Sequence, residues 1–175
     1  MTEQDPSDTR PIGRGMVFLA WVIALGLLSL YFNDLLEDRE NPNRRPASRV
    51  TADGGVEVAL ERNAAGHYVV SGRINGYPVT FLIDTGASDV AIPARLADEI
   101  GLERGAPVLY QTARGMSTGY LTTVDRLEIG DIVLRDVRAS ISPDYDGDQV
   151  LLGMSVLKRL EFAQQGNRLV LRQRD

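Results

Sequence analysis

The sequence predicts a mainly β protein, a small closed β architecture with one or two short helices, preceded by a single transmembrane helix. Short stretches of apolar–polar alternation recur through residues 51–175, separated by Gly, Asn, Asp and Pro, the pattern of many short strands joined by turns. Only two segments of that region carry helical spacing, and there is no internal repeat. Residues 15–32, GMVFLAWVIALGLLSLYF, contain no charged residue. A sheet of many short strands hides its edges most simply by closing on itself.

Residues 1–14 are polar, contain two prolines and read as a disordered tail. The uncharged run that follows spans about 27 Å as a helix, close to the hydrocarbon thickness of a bilayer. Trp21 lies within it, and Tyr31 and Phe32 lie at its end, where an aromatic belt sits. A cleaved signal peptide is the alternative, but its apolar core is about 7–15 residues and leads to a small-x-small site. LSLYFNDLLED offers no such site, so residues 15–32 are expected to be a retained anchor.

Arg10 and Arg14 precede the span, and Arg39, Arg44, Arg45 and Arg49 follow it, so a count of basic residues leaves the topology open. Arg14 at one edge, against Asp34, Glu37 and Asp38 at the other, favours an inside amino terminus and an outside large domain. Residues 33–50, NDLLEDRENPNRRPASRV, read as a charged linker with two prolines.

The globular part is expected over 51–175, a length that supports one core. VEVAL (56–60) alternates; HYVVSGRI (67–74) and YPVTFLI (77–83) flank Asn75-Gly76, a strong hairpin signal. DVAIP (89–93) reads as a strand. ARLADEIG (94–101) reads as a helix with Pro93 at its start, Leu96 and Ile100 on one face and Gly101 as its stop. Strands follow at 106–111, 118–129, 132–142 and 149–152, then a short helix at 154–160. A last hairpin pairs 160–164 with 168–172 around Gly166-Asn167.

Composition narrows the chemistry. Net charge is −5, and 18 of the 19 basic residues are scattered arginines, so no basic surface for nucleic acid is expected. The absence of cysteine excludes disulfides, thiolate metal sites and cysteine nucleophiles. His67 is the single histidine, with no nucleophile-elbow sequence to accompany it, and at a strand start after Gly66 it reads as a turn residue. No metal or cofactor is expected. Carboxylates are the abundant catalytic groups that remain.

One carboxylate stands out. In TFLIDTGASDV (80–90) an apolar strand ends at Asp84. Thr85 adds a hydroxyl, Gly86 allows close approach and Ala87 keeps the site small. Such a turn surrounds a rigid carboxylate with backbone N–H groups, an environment for acid–base work. An Asx-turn closing a strand is the ordinary alternative. SPDYDGDQV (142–150) holds Asp144, Asp146 and Asp148, but EF-hand spacing and its final glutamate are missing. It reads as a solvated acidic turn that lies beside the cleft at most.

FLIDTGAS (81–88), together with LLGMSVLKRL (151–160) near the carboxyl end, resembles the two signatures of the retropepsin-like aspartic proteases. LYQTARGMSTGYL (109–121) lies where that family carries a glycine-containing flap. The resemblance covers residues 66–172 and is closest to the membrane-anchored bacterial branch. It implies a retropepsin-type barrel and an endopeptidase acting on protein or peptide substrates. It also implies an obligate homodimer, in which Asp84 and its mate form the dyad, because the chain has one Asp-Thr-Gly. Thr85 and Gly86 complete the catalytic triplet. Ala87, Ser88, Asp89 and the flap residues Gly115 and Met116 are implied substrate neighbours, Leu152 and Gly153 support from the second signature, and the hairpin 160–172 is a candidate source of dimer strands. Viral members carry an acidic residue and an arginine where this chain has Ser88 and Met154, which puts the strength of the dimer in doubt. The branch implies a single-pass protein of the bacterial inner membrane with a periplasmic domain. A catalytically silent, membrane-tethered binding or scaffold module with the same fold is the alternative.

Overall fold

The computed structural model describes residues 10–112 and 115–174. Residues 1–9 of the expected tail, and Ala113 and Arg114 of the expected flap, lie outside the described residues. The chain divides into two units, Met1–Glu37 and Asp38–Asp175.

The first unit is helical. Helix α1 spans Arg10–Glu40, and its residues from Gly15 onward are long and apolar enough to cross a membrane. Its large apolar side chains from Met16 to Phe32 are exposed on all sides. A helix of that length and composition is shared by membrane spans and signal sequences. The helix does not stop at Phe32; Asn33 Nδ2 donates to Glu37 Oε1 one turn on (2.8 Å).

The second unit is built from strands β1 (Ser48–Val50), β2 (Val56–Glu61), β3 (Val69–Ile74), β4 (Tyr77–Ile83), β5 (Val90–Pro93), β6 (Pro107–Thr112), β7 (Gly115–Ile129), β8 (Ile132–Ser142), β9 (Val150–Leu152), β10 (Glu161–Gln165) and β11 (Arg168–Gln173), with helices α2 (Ala94–Ile100) and α3 (Met154–Leu157). One sheet runs β3-β4-β9-β5-β8-β7-β6, and β3 also pairs with β7. That added pairing, Arg73 opposite Glu128 and Ile74 opposite Leu127, brings the strand order back to its start. β6 is left outside the ring as the arm of a hairpin with β7.

Closure depends on Gly72, where a Cβ would lie 2.2 Å from the Glu128 carbonyl oxygen and 2.6 Å from the Phe81 ring. Asn75 and Gly76 both take positive φ in the β3–β4 turn, as a two-residue hairpin of the primed type requires. The Asn75 side chain also accepts from the Arg126 N–H (3.0 Å), so the same turn grips β7. The barrel interior is filled by Val70, Phe81, Ile92, Ile141, Val150 and Leu152, all fully buried. A second antiparallel sheet, β1-β2-β11-β10, packs Val58, Leu60 and Leu171 into that core.

The sequence places a linker at 33–50, whereas the structure incorporates its second half into the folded unit. Asn43 is 5% exposed. Its Nδ2 donates to the carbonyls of Glu61 (2.9 Å) and Val69 (2.7 Å), and its Oδ1 accepts from the Glu61 N–H (2.7 Å). β1 then adds to the edge of β2. Polar side chains that bond backbone, rather than an apolar face, hold this segment, so no hydrophobic pattern announces it.

Candidate active site

β4 carries its apolar residues into the barrel and delivers Asp84 just past its end. β4 runs parallel to β9, with Phe81, Leu82 and Ile83 opposite Val150, Leu151 and Leu152. The Asp84 N–H continues that ladder to the Leu152 carbonyl (3.2 Å). The chain then turns tightly: the Ala87 N–H donates to the Asp84 carbonyl (3.2 Å), and the Gly86 N–H donates to Asp84 Oδ1 (2.8 Å). Among the described residues no group bonds Oδ2. A backbone donor on one oxygen fixes the carboxylate plane and leaves the other oxygen for chemistry.

Leu152 and Gly153 interlock with this turn from below. The N–H groups of Met154 and Ser155 donate to the carbonyls of Ala87 (2.8 Å) and Ser88 (2.9 Å). A Cβ on Gly153 would lie 2.3 Å from the Asp89 carbonyl oxygen and 2.5 Å from that of Ala87. Only a glycine passes there. Ser155 closes the other side, its Oγ accepting from the Val90 N–H (3.2 Å) and donating to the Arg138 carbonyl (2.9 Å).

The β6–β7 hairpin reaches the same mouth. Tyr110 and Ser117 are directly paired across it and therefore share one face. Tyr110 Oη donates to Asp89 Oδ2 (3.2 Å), and Ser117 Oγ donates to Asp144 Oδ2 (2.8 Å). Arg138 Nε pairs with the other Asp89 oxygen (3.3 Å). Tyr145, in the same loop as Asp144, has its hydroxyl pushed above the ordinary tyrosine value by burial first, then by the Asp148 and Asp84 carboxylates. The 142–149 loop is thus tied to the hairpin through Asp144, and its Tyr145 feels the Asp84 charge.

The profile of the family described as gag-polyprotein putative aspartyl protease matches residues 70–159, just over half of the chain. The chain belongs to this aspartyl protease family. Its fold is retropepsin-like: the crystal structure of a retropepsin-like aspartic protease from Rickettsia conorii matches 74% of this chain and 96% of that one, at 26% identity and TM-score 0.58. An uncharacterised Sinorhizobium protein encoded in the cobV 5′ region is 33% identical over 116 residues, 65% of this chain and 50% of that protein. An uncharacterised Rickettsia prowazekii protein is 27% identical over 108 residues, 60% of this chain and 46% of that protein. The chain spans about half the length of these curated relatives.

Within this retropepsin-like frame the signature residues Asp84, Thr85, Gly86, Ala87, Ser88, Leu152 and Gly153 converge on one turn. Thr85 and Ser88 are exposed beside Asp84. Asp89 also lies there but is 8% exposed, and its carboxylate is engaged by Arg138 and Tyr110 instead of being open to solvent. Gly115 sits at the start of β7 on the Ser117 face. Met116 alternates to the opposite face and is 64% exposed, directed away from the turn in this single chain. The sequence reading missed Tyr110, Ser117, Arg138 and Ser155, whose partners lie on other strands. It read 142–150 as a solvated acidic turn, and Asp144, Asp146 and Asp148 are exposed there, with Asp144 bonded to Ser117 and Asp148 paired with Arg95 (2.6 Å).

Proposed function

We propose that this chain is an aspartic endopeptidase that hydrolyses peptide bonds with a water activated by Asp84 and the Asp84 of a second copy. The observation that carries the reading is Asp84 itself, held by the Gly86 N–H at the end of a barrel strand, with no bond to its second oxygen among the described residues. Family membership and fold support it. Water attack on a peptide carbonyl needs a base and an acid at the same place. Two carboxyls in contact provide both, because they cannot both ionise and so keep one proton between them. One carboxylate takes the water proton as the C–O bond forms, while the other carboxyl protonates the carbonyl oxygen. As the C–N bond breaks, the carboxyl that took the water proton gives it to the leaving nitrogen, one hydroxyl of the tetrahedral intermediate returns its proton to the other carboxylate, and the dyad is again singly protonated.

The second carboxyl is assigned to another copy because the sequence carries a single Asp-Thr-Gly, and the buried carboxylate beside Asp84, that of Asp89, is engaged by Arg138 and Tyr110. A twofold dimer supplies it symmetrically. In that dimer Thr85 bonds across the axis, while Ala87 and Ser88 line the substrate cleft under the β6–β7 hairpin. β10, the open edge of its sheet with all five residues exposed, offers a strand for pairing. Residues 15–32 anchor the chain in a bacterial inner membrane with the protease domain in the periplasm, which raises the local concentration of partners.

The test is cleavage of an unstructured protein and a peptide library at mildly acidic pH by the full chain in detergent, compared with Asp84→Asn. The variant is expected to keep its near-UV spectrum and lose cleavage. Equal cleavage by both proteins overturns the dyad.

A further inference from the structure

We propose that the Tyr110/Ser117 rung is a two-ended latch that sets the β6–β7 hairpin over Asp84, with an anchored end at Asp89 and a releasing end at Asp144. The inference rests on the endopeptidase reading for its consequence in catalysis, but the latch itself is a statement about the hairpin.

The geometry is specific. One cross-strand pair of the hairpin, Tyr110 opposite Ser117, touches both banks of the mouth at once. One bank is the turn that carries Asp84, reached through Asp89. The other is the 142–149 loop, reached through Asp144 and bordered by Tyr145. Gly119 makes room for the anchor: a Cβ there would lie 3.0 Å from the Tyr110 ring and 3.1 Å from the Ile141 carbonyl. The rungs beyond, Gln111 with Met116 and Thr112 with Gly115, extend past the latch toward the tip.

The two ends differ in strength. Asp89 is 8% exposed and held in position by Arg138 at 3.3 Å, so Tyr110 donates to a fixed, ion-paired carboxylate, the stronger kind of hydrogen bond. Ser117 donates to an exposed carboxylate on an exposed loop, where water competes for both partners. The Asp144 end therefore lets go first, and the hairpin swings about its Asp89 end to admit an extended peptide. Tyr110, Asp89 and Arg138 are positioning residues in this scheme: they act on the hairpin, and through it on the peptide bond presented to Asp84.

Hydrogen exchange followed by mass spectrometry on the full chain in detergent decides the matter, with Asp84→Asn as the parent to prevent self-cleavage. Tyr110→Phe keeps the ring and removes the bond to Asp89; it is expected to speed exchange in 107–112 and 116–120 about tenfold, the weight of one charge-assisted hydrogen bond. Ser117→Ala is expected to speed it about twofold to threefold, and Ser117→Thr, which keeps the hydroxyl, restores parental exchange. Exchange in β3, β4 and β8 stays unchanged throughout. Unchanged hairpin exchange in the Tyr110→Phe/Ser117→Ala double variant, or acceleration spread evenly over the barrel, overturns the latch. In the Asp84 form, Tyr110→Phe is expected to lower kcat about tenfold while KM moves less than about threefold; a change confined to KM contradicts a positioning role. If the parental Asp84 protein cleaves nothing, the endopeptidase reading fails by itself, and the exchange measurement still judges the latch.

Discussion

Gly153 passes so close beneath the turn after Asp84 that a Cβ on it would lie 2.3 Å from the carbonyl oxygen of Asp89. The second obstacle, the Ala87 carbonyl at 2.5 Å, is also backbone, so neither can rotate aside. Gly153→Ala must displace the turn itself. It is expected to destabilise the folded unit by about 3 kcal/mol, the upper part of the range for overpacking. It should also abolish peptide cleavage in whatever fraction stays folded. Denaturant unfolding and cleavage assays on the same preparation check both; a stable, fully active alanine variant contradicts the interlock.

Asn43 tests where the folded unit begins. Its side chain satisfies the buried Val69 carbonyl and the part-buried carbonyl and N–H of Glu61. Asn43→Leu fills the space and leaves those groups without partners, at a cost of about 2–3 kcal/mol. By the same logic a fragment beginning at Asp38 should melt at least about 10 °C above one beginning at Thr51, which lacks both Asn43 and β1. Equal melting temperatures would return residues 38–50 to the status of linker.

Much of the fold was legible because it follows local rules. Asn75-Gly76 announced the β3–β4 hairpin, and Pro93 with Gly101 bracketed α2, where Gly101 takes φ of 80° as the cap. The Asp84 turn and Gly153 were legible as motifs, although their interlock is visible only in three dimensions. Asn43 and β1 were not, since a polar segment that bonds backbone carries no periodicity. Tyr110, Ser117 and Arg138 escaped for a different reason. Their roles arise from which strands the closed topology brings together, and alternation along a single strand does not state its neighbours. Asp89 reads in the sequence as a substrate neighbour, and its burial under Tyr110 and Arg138 was not legible there.

Tyr145 gives a spectroscopic ruler to Asp84. Burial, and then the Asp148 and Asp84 charges, raise its folded pKa above the ordinary tyrosine value. A raised folded pKa means stability that is fully present below the unfolded tyrosine value of about 10 and is lost as pH rises through the folded one. Tyr145→Phe should therefore flatten the alkaline decline in stability. In tyrosinate absorbance titrations, Asp84→Asn should move the Tyr145 component to lower pH, because one of the opposing charges is gone. No movement would separate Tyr145 from the Asp84 mouth.

The dyad makes a quantitative prediction about mixtures. If each active unit needs an Asp84 from both chains, a chain carrying Asp84→Asn poisons every wild-type chain that it pairs with. After free exchange of chains, the fraction of fully wild-type dimers is the square of the wild-type fraction. Equal mixing should therefore leave each wild-type chain with about half of its activity, and a ninefold excess of the variant with about a tenth. Total wild-type protein is held constant, so a monomeric enzyme would show no loss at all. Dilution adds an independent check: specific activity should fall below the dimer dissociation constant and recover on reconcentration. Activity per wild-type chain that stays flat in both experiments would assign catalysis to a single chain and leave Asp84 without its partner.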